Sequence, residues 1–411
     1  MNYHQLNIRQ STGKLLVFVF EGDKVKPIIG ATVTITGHNQ NIILQTNESG
    51  QTSTVDLPAV EPYFEYSVSV SADGYHLINF DSVQIIPNAT AIQEIQMTPN
   101  ILSDQYRPTE EYKIPQHKLT QPEAIKPVID PLAIPDPQPH LQPRPVESPP
   151  IGLLIPEFII VHCGAPKETA PRYKVRFTDY LTKVACGESF ANWHPEALKA
   201  NILCMISYTL NKIFTQAYTG FDVTCLRQFD LKYNHVQTTY KEIIEIVDTI
   251  FYQYIKHPDP EKRQPLLAEF LAHYTRKKPC KLGQFKSQEL ANQGYKHLDI
   301  LNYFFDLCYG PIEITSAAGV VFQGRPTPPP ERMLKEGTSG SDVRKIQVML
   351  NEISKYYSKI PGIEENGKFE NTTTKAVKTF QDIFFIPQDG NVNFQTWYKI
   401  SILYYSILDY R

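Results

Sequence analysis

One carboxylate is distinguished by its neighbours. Glu188 closes the mixed apolar stretch Tyr180-Leu181-Thr182-Lys183-Val184-Ala185-Cys186-Gly187 and is followed by Phe190 and Trp193. Partial burial beside either ring would raise the pKa of the carboxyl and keep it protonated near neutral pH, as a general acid requires. By residue type alone, a glutamate here is more often a solvated surface group. Glu196 lies just after Pro195, in the first turn of an expected helix, where its charge complements the helix dipole; a structural role is expected. Asp222 and Asp230 are the carboxylates that could position a water if the chemistry were hydrolytic. His273 and Cys280 make a weak candidate pair for a zinc-type site, and no metal or other cofactor is expected. The six cysteines (Cys163, Cys186, Cys204, Cys225, Cys280, Cys308) contain no CxxC pair, which removes the usual structural zinc spacing. They read as buried thiols, with disulfides open in an oxidising compartment.

The elements that position these residues fall into five stretches. Residues 1–100 carry short alternating runs, such as Leu15 to Phe20 and Tyr66 to Val70, between turn signals, which predicts an all-β sandwich. Residues 101–150 are proline-rich and lack glycine, as a semi-rigid linker would. Residues 151–316 read as α+β: a strand at Phe158 to Val161, then helices starting at Pro195, over Tyr240 to Tyr254 and over Leu298 to Phe305. Residues 317–332 form a second proline-containing linker. Residues 333–411 predict three short helices, with stripes at Val343, Ile346, Leu350, Ile353 and at Ala376, Val377, Phe380, Ile383, Phe384.

The chain has 411 residues and a formal net charge of −3, so no basic field argues for nucleic acid or an anionic membrane. No apolar run approaches the roughly 20 residues that span a bilayer. The start offers no conventional signal peptide, because the run Leu15 to Phe20 is short and reads as a strand.

Several motifs carry resemblances. Residues 334–347, Asn366-Gly367-Lys368-Phe369, Thr372 to Gln381 and Thr396-Trp397 resemble the three-helix peptidoglycan-binding domain, with Asn366 and Glu370 replacing the common Asp and Gly. Tyr180, Val184, Glu188 and the run Pro195-Glu196-Ala197-Leu198-Lys199-Ala200 resemble the SpoIID family of lytic transglycosylases. That resemblance places the catalytic carboxyl on Glu188. Gly283-Gln284-Phe285-Lys286 falls on the family's Ser/Thr-Gln-Trp/Tyr-Gly motif with lysine in place of the last glycine, so Gln284 joins Phe190 and Trp193 as a substrate-binding candidate. Trp397 is the corresponding candidate in the C-terminal domain, and Gln347, Gln381 and Trp397 each also read as core or capping residues. Pro27-Ile28-Ile29-Gly30-Ala31-Thr32-Val33, with Thr46 to Thr52, resembles the carboxypeptidase-regulatory-like (transthyretin-like) sandwich.

The domain order is similar to that of the spore cortex-lytic enzymes of the SleC type. This resemblance implies a germination enzyme of the spore cortex or coat–cortex region. It would be stored as a precursor, cut by an activating protease in or near the linker, and would cleave cortex peptidoglycan to a 1,6-anhydro product. No nucleic acid or membrane partner is expected. The competing expectations are a catalytically weak peptidoglycan-binding spore protein and a hydrolytic muramidase or glucosaminidase.

Overall fold

Alternation of apolar and polar side chains in the first hundred residues becomes strand pairing in the computed structural model, which describes residues 11–100, 109–120, 152–274 and 280–410. The strands are β1 (Ser11–Glu21), β2 (Lys26–Pro27), β3 (Thr32–Gly37), β4 (Gln40–Gln45), β5 (Val55–Ala59), β6 (Phe64–Ser71), β7 (Leu77–Ile85) and β8 (Thr90–Gln96). One sheet sets β1 between β2 and β8, with β5 also on β1. The other runs β4-β3-β6-β7. Every second residue points inward, so Leu15, Val17, Val33, Ile35, Val68 and Val70 are fully buried in a common core.

The expectation that residues 101–150 are only a linker needs correction. Residues 101–108 and 121–150 lie outside the described residues. Between them, Thr109–Lys113 forms β9, which pairs in parallel with β7 from Leu77↔Thr109 to Asp81↔Lys113. A 3-10 turn, Lys118–Thr120, follows. The edge of β7 offers unpaired backbone groups that a passing extended segment satisfies. Part of the second linker is likewise structured. Gly319–Phe322 pairs with Leu154–Ile155 and with Arg325–Thr327, because Val320 and Phe322 have a core to enter.

The middle region contains β10 (Leu154–Ile155), β11 (Phe158–His162), β12 (Arg172–Arg176), α1 (Phe177–Glu188), α2 (Pro195–Phe214), β13 (Val223–Thr224), β14 (Thr239–Tyr240), α3 (Lys241–Ile250), β15 (Gln253–Ile255), β16 (Phe270–Leu271), β17 (Leu282–Gly283), α4 (Gln284–Asn292) and α5 (His297–Tyr309). Helix α2 begins at Pro195, whose missing N–H is not needed in the first turn, and His194 Nδ1 accepts from the Glu196 N–H at 3.2 Å. It is buried on nearly all sides, and α1, α3, α4 and α5 pack around it. The helix expected over Tyr240 to Tyr254 stops at Ile250. Its tail instead becomes β15, pairing with Ile314–Ser316, a partner remote in sequence. Disulfides join Cys163 to Cys225 and Cys280 to Cys308, while Cys186 and Cys204 are buried free thiols.

Strand β14 does not pair within its own region. It adds to the first sandwich sheet, with Thr239 opposite Ile92 and Tyr240 opposite Ala91. Side-chain bonds reinforce the seam: Tyr240 Oη donates to the Gln84 carbonyl at 3.0 Å, and Glu242 accepts from the Thr90 N–H at 3.1 Å.

At the C-terminal end, α6 (Ser341–Ser354), α7 (Asn371–Ile383) and α8 (Phe394–Tyr410) bury the two expected apolar stripes. Two glutamines brace the connections. Gln347 on α6 donates to the Lys368 carbonyl at 2.9 Å and to Thr373 Oγ1 at 3.2 Å, and accepts from the Gly367 N–H at 2.8 Å. Gln381 on α7 repeats the arrangement. It donates to the Asn391 carbonyl at 3.0 Å and to Thr396 Oγ1 at 3.2 Å, and accepts from the Gly390 N–H at 2.8 Å. Both turn glycines have positive φ, +71° at Gly367 and +77° at Gly390, where a side chain is strained.

Candidate active site

Glu188 is the last residue of α1, where the chain leaves the helix in extended conformation at Ser189 and turns toward α2. Segments far from α1 in sequence close around this residue, whose side chain is 1% exposed. The Lys232 N–H donates to Oε1 at 3.1 Å. Lys118, from the segment after β9, forms a buried ion pair with Oε2. Gln284, at the start of α4, donates from Nε2 to the Glu188 carbonyl at 2.8 Å, and its Oε1 accepts from Lys118 Nζ at 3.3 Å. The Phe270 ring of β16 lies 4.8 Å from the same ammonium. Glu188 is thus buried, where residue type alone points to a solvated surface group, and the group beside its carboxylate is an ammonium.

A row of rings leads away from the carboxylate. His117 stacks on Phe190 with centroids 4.2 Å apart, Phe190 meets Trp193 at 5.9 Å, Trp193 meets Phe285 at 5.5 Å, and Phe285 stacks on His273 at 4.9 Å. His117 Nδ1 accepts from the Leu119 N–H at 3.2 Å, so its other nitrogen is the donor toward the Ser189 carbonyl at 3.3 Å. Burial pushes the His117 pKa down, and Lys232 and Lys118 push the same way against the Ser189 carbonyl, to about 3. The ring is therefore neutral at physiological pH.

Of the expected site residues, Glu188, Phe190, Trp193 and Gln284 come together, and Gln284 holds the backbone of Glu188. Trp397 does not join them. Its ring packs against Phe322 and Phe394 and is nearly buried, with Pro328, Pro329 and Pro330 lining the adjoining cavity. The ring therefore lies apart from the Glu188 pocket, packed at the edge of that cavity. Cys280 is consumed by its disulfide to Cys308 and offers no thiolate to a metal. His273 stacks on Phe285 instead, and among the described residues no group of three or more metal-ligating side chains occurs.

Glu196 ties the starts of α2 and α5, accepting from the His297 N–H at 2.8 Å and the His297 ring at 2.7 Å. Burial pushes its pKa up, but these bonds and Lys199 outweigh it and hold the group at about 2. Asp230 is occupied by the Thr224 N–H at 2.8 Å, Thr224 Oγ1 at 3.0 Å, Tyr208 Oη at 3.1 Å and Lys212 at 3.3 Å. Asp222 accepts from the Ile160 N–H at 2.7 Å. Sequence reasoning missed His117, Lys118, Lys232 and Phe270. His117 and Lys118 sit in a proline-rich stretch that resembled a spacer, and nothing in their local pattern pointed inward.

Two family models match parts of the chain. Residues 167–256 match the family described as "Stage II sporulation protein" (SpoIID), a span that includes Glu188, Phe190 and Trp193 but not Lys118 or Gln284. Residues 339–400 match the family described as "Putative peptidoglycan binding domain". No curated protein matches. Among solved structures, the Bacillus anthracis TIE protein is similar at 21% identity and a TM-score of 0.18, over 22% of this chain and 17% of that one. The minor pilin GBS52 of Streptococcus agalactiae is similar at 19% identity and a TM-score of 0.17, over 23% of this chain and 49% of that one. The chain thus spans less than two thirds of either structure. No described helix is long and apolar enough to cross a membrane.

The two matches fall on separate parts of the chain, a span similar to a sporulation family and a span similar to a peptidoglycan-binding domain. More particularly, the SpoIID-like span carries Glu188, and the span similar to a peptidoglycan-binding domain holds α6, α7 and the start of α8.

Proposed function

We propose that the chain is a lytic transglycosylase of the SleC type that cleaves the glycan strands of spore cortex peptidoglycan during germination. The observation that carries this reading is the buried carboxylate of Glu188 at the end of α1, beside a row of rings, inside the SpoIID-matching span. Glu188 donates a proton to the glycosidic oxygen as the C1–O bond breaks. The sugar's own 6-hydroxyl then adds to C1 and gives its proton to the Glu188 carboxylate, which restores the acid and leaves the 1,6-anhydro end. Phe190 and Trp193 supply apolar faces for the sugar rings, and Gln284 fixes the position of the acid. No water-positioning carboxylate is needed, which agrees with the full structural engagement of Asp230.

On this reading the N-terminal sandwich is a transthyretin-like pro-domain, removed by a protease that cuts in residues 101–150. The C-terminal helices hold the enzyme on its polymer. The alternative of a catalytically weak binding protein draws on Lys286, which replaces the family's glycine. Yet Lys286 reaches to exposed Glu289 at 2.6 Å, while Gln284 still reaches Glu188.

The test is a digest of purified cortex with residues 151–411, beside the same protein carrying Glu188→Gln, followed by mass spectrometry of the fragments. Anhydro-muramic ends from the unsubstituted protein alone support the proposal. Reducing ends indicate a hydrolase. Binding without cleavage by folded protein supports the non-catalytic alternative.

A further inference from the structure

Residues 114–120 enter the pocket by a defined route. Strand β9 carries the chain along the sandwich edge, and the Ile114 N–H donates to the Asp81 carbonyl at 3.0 Å. Gln84 Nε2 donates to the Pro115 carbonyl at 3.0 Å, and the His117 N–H donates to Tyr63 Oη at 3.3 Å. These three anchors belong to the sandwich. The next contacts belong to the middle region: Lys232 Nζ donates to the Gln116 carbonyl at 2.7 Å, the His117 ring covers Phe190, and Lys118 pairs with Glu188.

The occupied positions are those a glycan would need. An oxygen that already receives a hydrogen bond from an ammonium cannot hand a proton to a glycosidic oxygen. The Phe190 face that would stack on a sugar carries an imidazole. Gln284 Oε1, which could accept from a sugar hydroxyl, accepts from Lys118. Lys118 is only 6% exposed, so the segment fills the pocket and does not merely lie across its mouth. Removing either member of a buried ion pair leaves an uncompensated charge, which makes the closed arrangement self-reinforcing.

We propose that residues 114–120 are an autoinhibitory strap, built onto the sandwich, whose Lys118 and His117 occupy the acid and the sugar-stacking face until the strap withdraws. This deepens the proposed function and rests on the assignment of Glu188 as the acid. The strap couples activity to the position of the sandwich, because the same backbone that extends its sheet as β9 delivers the plug.

The test uses the full chain as wild type, Lys118→Met and Lys232→Ala. The second substitution removes the bond to the Gln116 carbonyl and leaves the backbone N–H on Glu188. Two readouts run in parallel: modification of Glu188 by a water-soluble carbodiimide, quantified by peptide mass spectrometry, and release of soluble fragments from cortex peptidoglycan. Wild type is expected to resist modification at Glu188 and to release little. Lys118→Met is expected to raise both rates at least tenfold and Lys232→Ala several-fold. Should Lys118→Met fail to fold by circular dichroism, Lys232→Ala carries the test. Equal modification of Glu188 in wild type and the folded variants overturns the strap. Cleavage by wild type as fast as by the variants also overturns it, while leaving the transglycosylase reading intact. Faster modification without any cleavage keeps the strap and sinks that reading instead.

Discussion

The C-terminal domain and the Glu188 pocket both bury polar side chains, but they do so from opposite kinds of sequence. Each glutamine brace is local. Gln347 and Gln381 sit on one helix and satisfy the turn and helix start that follow, Gly367 with Thr373 and Gly390 with Thr396. The Glu188 network instead gathers α1, the segment after β9, the chain at Lys232 and the start of α4. The braces are neutral and fully satisfied, which is what a stabilising element needs. The Glu188 pair is charged and joins segments remote in sequence, and a buried ion pair is a weak source of net stability although breaking it leaves a charge uncompensated. The comparison teaches that burial of a polar group does not reveal its purpose. What matters is whether its partners can leave.

The largest effect expected from breaking this comparison is on catalysis. With residues 151–411, Glu188→Gln should lower fragment release from cortex by about 1,000-fold, within the range general acids contribute. Circular dichroism should show an unchanged fold. Next comes Gln347→Ala, or equally Gln381→Ala. Each strands a buried glycine N–H, together with a carbonyl and a hydroxyl, and should cost about 3 kcal/mol in urea denaturation of the C-terminal domain. Either substitution should leave the chemistry of bound glycan untouched. Gln284→Ala falls between the two kinds. It removes the bond to the Glu188 carbonyl, so the protein freed of its strap should lose about tenfold in kcat with little change in KM. A loss confined to KM would argue for a sugar-binding role.

The smallest effect concerns pH. The folded pKa of His117, about 3, lies below the ordinary 6.5. The neutral ring therefore stabilises the closed strap above pH 6.5, and that contribution declines as pH falls toward 3. Lys118 and Lys232 face the ring from the strap and from the middle region, and the Ser189 carbonyl from the end of α1. The melting temperature of the full chain should fall more steeply from pH 6.5 to pH 4 than that of His117→Phe. Parallel curves would remove His117 from the account.

Legibility followed the same division. The stripes of α6 and α7 were readable because their residues meet neighbours three and four positions away. The start of α2 was readable through Pro195, and the motif around Glu188 singled that residue out as the acid of the proposed reaction. The strap was not, because Lys118 meets its partner 70 positions further along the chain, and proline-rich surroundings give no periodicity to follow. Nor was the end of α3. Residues 253–255 carry helical as well as strand character, and only pairing with Ile314–Ser316 decides for the strand. Phe322 packs on Trp397 from another region of the chain, a contact that the sequence neighbours of Trp397 do not announce.

The two disulfides have a consequence for where such a protein can work. Cys225, bonded to Cys163, begins the stretch that brings the Lys232 N–H to Glu188. Cys280, bonded to Cys308 on α5, lies just ahead of β17 and Gln284. Two of the arms that frame the carboxylate are therefore stapled to the scaffold, while the buried thiols Cys186 and Cys204 are left out of the pairing. A thiol reductant reaching the folded protein would loosen the rim of the pocket and leave the sandwich and the glutamine braces intact. The frame of the carboxylate and the segment that fills it are thus held by different means, the first by covalent bonds and the second by an ion pair and hydrogen bonds.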